Sequence, residues 1–148
     1  SGDEEYENFF RDMQWFYPGR VCTCHGFVPE LARKIYSGAD IFLMPSKQEP
    51  CGLSQMIALR YGTIPIVRET GGLRDTVLSY NKFNNEGNGF TFLNYNAHDM
   101  LGAIRRGLDA YWNKEYWDTL VNRAIECDYS WGKSASEYIK MYKQVIAE

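Results

Sequence analysis

The sequence predicts an α/β fold in which short parallel strands alternate with helices, followed by a segment that is helical only. Three observations support this fold class. Short, mostly apolar segments recur at residues 41–44, 64–67 and 90–93, as expected of strands buried on both faces of a parallel sheet. Segments with helical periodicity lie between them, and none of the pattern beyond residue 97 is strand-like. Such alternation indicates βαβ units and a doubly wound sheet with flanking helices.

The first part of the chain is predicted to contain two helices and one strand. Asp3 can cap a helix over residues 4–16, where apolar side chains repeat at helical spacing. A Pro-Gly turn at 18–19 precedes a predicted strand at 21–24. Pro29 suits the first turn of a second helix, which runs to Tyr36 and ends at Gly38.

The central part alternates strand and helix twice. A buried strand at 41–44 leads into a loop over 45–52 and a helix over 53–61. The next buried strand, 64–67, leads into a tight turn at 70–72. We expect both loops at the same edge of the sheet, because they follow the carboxyl ends of parallel strands.

The last part begins with a loop over 81–89, whose four Asn and two Gly predict a mobile surface segment. A strand at 90–93 follows. Three helices complete the chain, the first over 97–112, and each follows a residue that can cap it: Asn96, Asn113 and Ser130.

Composition narrows the class of protein. The 148 residues suit one domain, and we expect a single domain over 1–148 with residues 97–148 as its helical tail. The net charge of −3 argues against nucleic-acid binding. The longest purely apolar run, 41–44, is far too short to span a membrane, and the acidic start is unlike a signal peptide. Four cysteines without a signal peptide favour a reducing cytosol.

Aromatic residues make up 16% of the chain, which is the unusual feature of its composition. Aromatic side chains pack cores and also stack on sugars or bases. Six of them fall on the predicted late helices, where core packing is favoured over surface contact with a glycan: Tyr111, Trp112, Tyr116, Trp117, Tyr138 and Tyr142.

Three loops that follow predicted strands are the candidate site: residues 25–30, 45–54 and 68–73. In the second loop, Gly52 permits close backbone approach, and the helix that opens after it attracts anions such as phosphate. Glu49 lies just before it. Its carboxylate is placed to bind hydroxyls or stabilise positive charge, although spacing alone slightly favours a residue that only caps the helix or faces solvent.

The other two loops give weaker signals. The amides of Thr70-Gly71-Gly72 can form an anion nest, although two glycines more often only make a turn. Phe27 follows a glycine at the end of a predicted strand, where an exposed ring can stack on a base. Core packing is the more common role of such a residue.

The cysteines do not predict a metal or nucleophile site. Cys22 and Cys24 lie beside His25 without a second Cys pair, which argues against zinc binding and favours buried structural thiols. Cys51 has no nearby His in sequence to act as a base. The chain also lacks the glycine-rich dinucleotide, Walker and nucleophile-elbow motifs.

Two long segments carry a family resemblance. Residues 42–55, Phe-Leu-Met-Pro-Ser-Lys-Gln-Glu-Pro-Cys-Gly-Leu-Ser-Gln, resemble the signature of bacterial glycogen synthases and plant starch synthases, and so do residues 60–77. The opening Gly2-Asp3-x-x-Tyr6-Glu7 and the late Tyr129-Ser130-Trp131 are similar to the same family. Together these segments follow the family order over nearly the whole chain.

The resemblance implies a GT-B glycosyltransferase, built from two Rossmann-like domains, of which this chain is the C-terminal, nucleotide-sugar-binding one. The family transfers glucose from ADP-glucose to the non-reducing end of an α-1,4-glucan with retention, and neither cofactor nor metal is implied. The missing N-terminal domain of the same enzyme becomes an expected partner. The resemblance implies a cytoplasmic location in a bacterium, or a plastid location in a plant.

The resemblance also implies roles for individual residues. Glu49 matches the family's essential acidic residue beside the donor glucose, and Phe27 falls where an aromatic residue packs on the base. Residues matching the sugar and phosphate turns are Cys51, Gly52, Leu53, Ser54, Thr70, Gly71 and Gly72.

Two departures leave alternatives open. Related enzymes that use UDP-glucose, such as sucrose or trehalose-phosphate synthases, usually have a second Glu eight residues after the first, and Ile57 occupies that position here. The family's diphosphate-binding Arg and Lys precede residue 1, and Arg68 and Arg74 are not assigned to replace them. We therefore expect little transferase activity from these residues alone. A UDP-glucose transferase and a non-catalytic nucleotide-binding module remain the alternatives.

Overall fold

The computed structural model describes residues 3–147 and divides them into two compact units, with the boundary after Arg33. Gly2 of the opening motif lies outside the described residues. The elements in chain order are α1 (Glu4–Phe16), α2 (Pro29–Gly38), β1 (Ile41–Met44), α3 (Ser54–Arg60), β2 (Ile64–Arg68), α4 (Gly72–Thr76), β3 (Phe90–Phe92), α5 (Ala97–Tyr111), α6 (Lys114–Glu126) and α7 (Trp131–Ile146).

The first unit contains α1, which begins as predicted at Asp3, whose carboxylate accepts the Glu5 N–H at 3.1 Å. The predicted strand at 21–24 is wrong. Thr23 donates both its backbone N–H and its hydroxyl to the side-chain oxygen of Gln14, at 2.6 and 2.9 Å, so a local side chain takes the place of a strand partner. The expectation of buried thiols is also wrong, because Cys22 and Cys24 are exposed.

The second unit contains a three-stranded parallel sheet in the order β1-β2-β3. The central strand β2 and its neighbour β3 are buried, as predicted. Strand β1 is only half-buried, with Leu43 41% exposed, because β1 lies at an edge of the described sheet. The strand order does not reverse among these three strands.

Side chains of β2 alternate between two apolar clusters, one on each face of the sheet. Ile64 and Ile66 belong to the larger cluster, whose other members come mainly from α3, β3, α5 and α6. Val67 belongs to a smaller cluster with Leu73 and Val77. Helices therefore cover both faces, which confirms the predicted α/β arrangement, and α4 lies on the face opposite α5 and α6.

The late helices begin where the sequence predicts. Side chains of Asn96, Asn113 and Ser130 each accept the backbone N–H three residues on, which satisfies a donor that the helix itself cannot pair. None of the described helices is long and apolar enough to cross a membrane.

Core packing of the late aromatic residues is confirmed only in part. Trp117 packs against the larger cluster, and the Tyr111 ring meets it edge-on at 5.1 Å. Trp112 is 81% exposed, and both Tyr138 and Tyr142 are exposed, so core packing is wrong for them. Helix α7 contributes no buried residue, which accounts for its two tyrosines.

The loop over 81–89 is not uniformly a surface segment. Its tip folds back on itself, with the Asn81 N–H donated to the Glu86 carbonyl at 2.9 Å. Its end is buried, since Asn88 is 5% exposed and its side chain bonds the Leu78 N–H and the Thr76 carbonyl. The surface-loop prediction is therefore wrong for Asn88, whose amide connects separate segments of the fold.

Candidate functional site

Two turns meet beyond the carboxyl ends of β1 and β2. We call residues 49–53 the Glu49 turn and residues 70–72 the Gly71 turn. The Gly72 N–H donates to the Pro50 carbonyl at 3.2 Å. A Cβ on Gly71 would overlap the Glu49 carbonyl oxygen, and one on Gly72 would overlap the Cys51 carbonyl oxygen. Both glycines are thus required by close contact between the two turns.

This contact brings most of the predicted site residues together. Glu49, Cys51, Gly52 and Leu53 lie on one turn, with Ser54 opening α3 directly after it, and Thr70, Gly71 and Gly72 form the other. The motifs predict the residues on each loop but not the backbone contact that joins the loops. In the structure, the two glycines of the Gly71 turn lie against the backbone of the Glu49 turn.

The Glu49 side chain is half-exposed and has no hydrogen-bond or ion-pair partner among residues 3–147. Helix α3 begins without a side-chain cap, so the interpretation of Glu49 as a capping residue is wrong. Cys51 and Leu53 are exposed, and Ser54 is half-exposed. The carboxylate and the surface of the Glu49 turn are therefore accessible to a ligand.

Arg68 fixes the start of the loop that carries the Glu49 turn. Its guanidinium donates to the Lys47 carbonyl at 2.7 Å and to the Leu93 carbonyl at 3.2 Å, and it lies over the Tyr95 ring. It thereby ties the loop after β1 to the segment after β3. Its described contacts are structural, in keeping with its omission from the predicted phosphate ligands.

Gln55 is a residue of this site that sequence reasoning missed. Its side chain is fully buried, and its amide nitrogen donates to the carbonyls of Cys51 and Gly52 at 3.2 and 3.0 Å. The same nitrogen donates to the Thr76 hydroxyl at 3.1 Å, and that hydroxyl donates to the Gly72 carbonyl at 2.6 Å. No sequence signal predicts this, because glutamine in the first turn of a helix is most often exposed.

A second set of hydrogen bonds holds the far end of α4. The Thr76 carbonyl accepts from the Tyr129 hydroxyl at 2.5 Å and from the Asn88 side-chain amide at 3.0 Å. Burial, with a smaller contribution from Cys127, raises the pKa of Tyr129 to about 12. The phenol is therefore neutral and a proton donor at ordinary pH, which gives the Tyr129-Ser130-Trp131 motif a structural role.

Phe27 lies in the first unit, directly after Gly26, and its side chain is 93% exposed. The alternative that Phe27 fills the core is therefore wrong. Among residues 3–147, no group of three or more His, Cys, Asp or Glu side chains is arranged to hold a metal ion.

The family model described as "Glycosyl transferases group 1" matches residues 1–124. The chain belongs to the group 1 glycosyltransferases. Among curated relatives, this glycosyltransferase chain is 60% identical to a glycogen synthase of Geobacillus thermodenitrificans and 58% identical to one of Bacillus cereus, over 99% of its length. It spans about 30% of the length of these relatives. The predicted family resemblance is confirmed.

Solved structures give the same picture for the glycosyltransferase chain. The catalytic domain of starch synthase IV from Arabidopsis thaliana, solved with ADP and acarbose bound, superimposes with a TM-score of 0.83 at 34% identity. That match covers 100% of this chain and 31% of the plant chain. A sucrose-phosphate synthase from Thermosynechococcus elongatus shares the fold, with a TM-score of 0.66 at 23% identity over 97% of this chain. The predicted Rossmann-like part of a GT-B fold is thereby confirmed.

Proposed function

We propose that this chain is the donor-binding part of a glycogen synthase, which transfers glucose from ADP-glucose to the non-reducing end of an α-1,4-glucan with retention. The observation that carries the proposal is the contact between the Glu49 turn and the Gly71 turn. It leaves an unpartnered carboxylate and an accessible turn at the carboxyl edge of the sheet, where ligands of such folds bind. The names of the relatives supply the reaction class.

The charges that develop during transfer match these groups. Departure of a nucleoside diphosphate builds positive charge on the sugar ring and negative charge on the phosphates. In our proposal Glu49 stabilises the sugar charge, and the amides of Gly52 and Leu53 bind the sugar. The Ser54 hydroxyl and the amides of Thr70, Gly71 and Gly72 lie toward the phosphates.

The remaining assignments belong to the same proposal. The exposed Phe27 ring stacks on the base of the donor, since an accessible aromatic face suits this role. Residues 1–148 form the donor domain with residues 97–148 as its helical tail, and the N-terminal domain of the full enzyme binds the glucan acceptor. The bacterial relatives favour the cytoplasm over a plastid.

Donor competition tests the proposal directly. The full-length protein is incubated with glycogen and with either ADP-glucose or UDP-glucose, and incorporated glucose and the anomeric linkage are measured. We expect α-1,4-linked glucose from ADP-glucose. Preferred use of UDP-glucose supports the alternative transferase, while nucleotide binding without transfer to any glucan supports the non-catalytic module and contradicts the proposal.

Glu49→Gln tests the assigned carboxylate. The amide retains the size of the side chain but loses its charge, so we expect turnover to fall about 1,000-fold, near the upper part of the range for a group that stabilises transition-state charge. ADP-glucose affinity, measured by calorimetry, should change little. Glu115→Gln, at an exposed position of α6, is the matched control and should retain full turnover. Unchanged turnover in Glu49→Gln removes this residue from the mechanism.

A further inference from the structure

Two peptide units of the Glu49 turn have their carbonyl groups directed into the protein. The carbonyl oxygens of Cys51 and Gly52 both accept from the side-chain amide of Gln55. In a trans peptide the carbonyl and the N–H of the same unit point in opposite directions. The N–H groups of Gly52 and Leu53 are therefore directed away from Gln55, and neither has an acceptor among residues 3–147.

The chemistry around Gln55 fixes which way its amide faces. Thr76 uses its hydroxyl proton on the Gly72 carbonyl, so its oxygen is left to accept. The three groups around the Gln55 nitrogen are thus all acceptors, so the NH₂ end of the amide faces them and shares its two hydrogens among the three. The Gln55 carbonyl oxygen is left buried without a partner, an unfavourable arrangement. Packing alone does not explain a residue with that cost.

We propose that Gln55 is a positioning residue that keeps the N–H groups of Gly52 and Leu53 facing outward, where they donate to oxygen atoms of the bound nucleotide-sugar. This inference rests on the proposed function, which assigns that ligand to the Glu49 turn. Gly52 has a φ of 75° and no side chain to limit rotation of its neighbouring peptides. Without Gln55 either peptide can flip and present a carbonyl oxygen, which repels the oxygen atoms of the ligand.

One substitution removes the amide and another removes the hydroxyl that accepts from it, and both change the side-chain volume little. Gln55→Met retains the length of the side chain without donors, and Thr76→Val removes the hydroxyl that Gln55 contacts. We expect Gln55→Met to lower kcat/KM for the donor about 100-fold, as for loss of an aligned backbone donor. Thr76→Val should lower it several-fold, and Thr76→Ser, which retains the hydroxyl, should restore it.

A matched control separates positioning from loss of stability. Leu120→Ala creates a cavity in the larger cluster, away from both turns, so it lowers stability without touching Gln55. All variants are made in the full-length protein, and thermal unfolding is measured beside the kinetics. The two variants are compared at a similar loss of melting temperature. If Leu120→Ala then loses as much kcat/KM as Gln55→Met, the positioning role is overturned. If Gln55→Met does not fold, equal kinetics of Thr76→Val and Thr76→Ser overturn it.

Nuclear magnetic resonance gives a readout that does not depend on turnover. Cys51-Gly52 is the only Cys-Gly pair in the 148 residues, so ¹³C-carbonyl Cys and ¹⁵N-Gly labels mark one peptide unit within this part of the protein. The peak lost in Cys51→Ser identifies it. ADP-glucose should shift this peak in the parent protein and not in Gln55→Met. If the peak shifts only in the parent protein but that protein transfers no glucose, the positioning role is supported and the proposed function is contradicted. An equal shift in both proteins contradicts the positioning role alone.

Discussion

The backbone N–H of Gly72 donates to the carbonyl of Pro50 at 3.2 Å, and this bond joins two loops that follow different strands. The Cα hydrogen of Gly72 that a side chain would replace faces the Cys51 backbone, so a side chain has no space there. Pro50 lies directly after Glu49, so the placement of that carboxylate depends on the Gly71 turn. The position of the proposed catalytic group is therefore set by a contact between backbones.

Gly72→Ala should displace the Glu49 turn. The added methyl group overlaps the Cys51 carbonyl, and backbone on both sides must move to accept it. We expect stability to fall by about 1–3 kcal/mol, as for other overpacked sites, and glucose transfer to fall at least tenfold. Chemical denaturation of this chain and kinetics of the full-length protein measure the two effects.

Gly102→Ala is the matched control for this substitution. Gly102 lies within α5, and the nearest atom to an added methyl group is a guanidinium nitrogen of Arg106 at 3.9 Å. Alanine is the better helix former, so stability should rise by about 0.5–1 kcal/mol with activity unchanged. If Gly72→Ala is as harmless as Gly102→Ala, the two turns are not held by this contact.

Leu73→Ala should affect stability and activity together. Leu73 anchors α4 in the smaller cluster beside Val67 and Val77, and α4 begins at Gly72. Its truncation should cost about 2–5 kcal/mol, the range for buried leucines. Leu120→Ala in the larger cluster should cost a similar amount. Only Leu73→Ala should lower kcat in protein that remains folded, because α4 begins at the glycine that contacts the Glu49 turn, whereas Leu120 lies in the other cluster.

The comparison is made at a temperature where both variants are fully folded by circular dichroism. Equal kcat values for the two variants would show that α4 transmits no strain to the Glu49 turn. A lower kcat in Leu120→Ala alone would place the sensitive packing on the opposite face of the sheet.

Much of the second unit follows from local sequence. At Asn96 and Asn113 the side chain accepts a hydrogen bond from an otherwise unpaired N–H of the helix. The asparagine alone is enough to predict such a cap. The central strand at 64–67 is apolar on both faces, and its burial needs no knowledge of its neighbours. Once the strands are located, the loops after their carboxyl ends are recognisable as a candidate site, because ligands of parallel sheets bind there.

The errors arise where a distant or unusual partner decides the outcome. Residues 21–24 have the composition of a strand, but the Gln14 side chain binds Thr23 and replaces a neighbouring strand. Asn88 looks like a loop residue, yet its amide pairs with Thr76 and Tyr129 from other segments. Gln55 is missed in the same way, because one of its acceptors, Thr76, comes from α4, and the other two are backbone carbonyls that the Glu49 turn directs toward it.

Tyr129 connects the last helical segment to α4 through a single phenol. Its hydroxyl donates to the Thr76 carbonyl at 2.5 Å and lies 3.3 Å from the Asn88 side-chain nitrogen. Tyr129→Phe removes these bonds and retains the ring. At pH 8 we expect unfolding free energy to fall by about 0.5–1.5 kcal/mol, the usual worth of such a bond. The Thr76 carbonyl retains its bond from Asn88, which limits the loss.

The same variant should change how stability depends on alkaline pH. The pKa of Tyr129 is raised from 10.0 in the unfolded chain to about 12 in the folded one, chiefly by burial. Its contribution to stability is therefore complete below pH 10 and is lost as pH rises toward 12, because the unfolded chain gives up the proton first. Two pKa units correspond to at most about 2.7 kcal/mol, and partial exposure of the ring reduces this to about 1 kcal/mol.

Other groups titrate in the same range, so the measurement is the difference between parent and Tyr129→Phe in denaturant unfolding at pH 8 and 11.5. We expect the difference to shrink as pH rises, and a constant difference would show that the folded protein does not hold this phenol neutral.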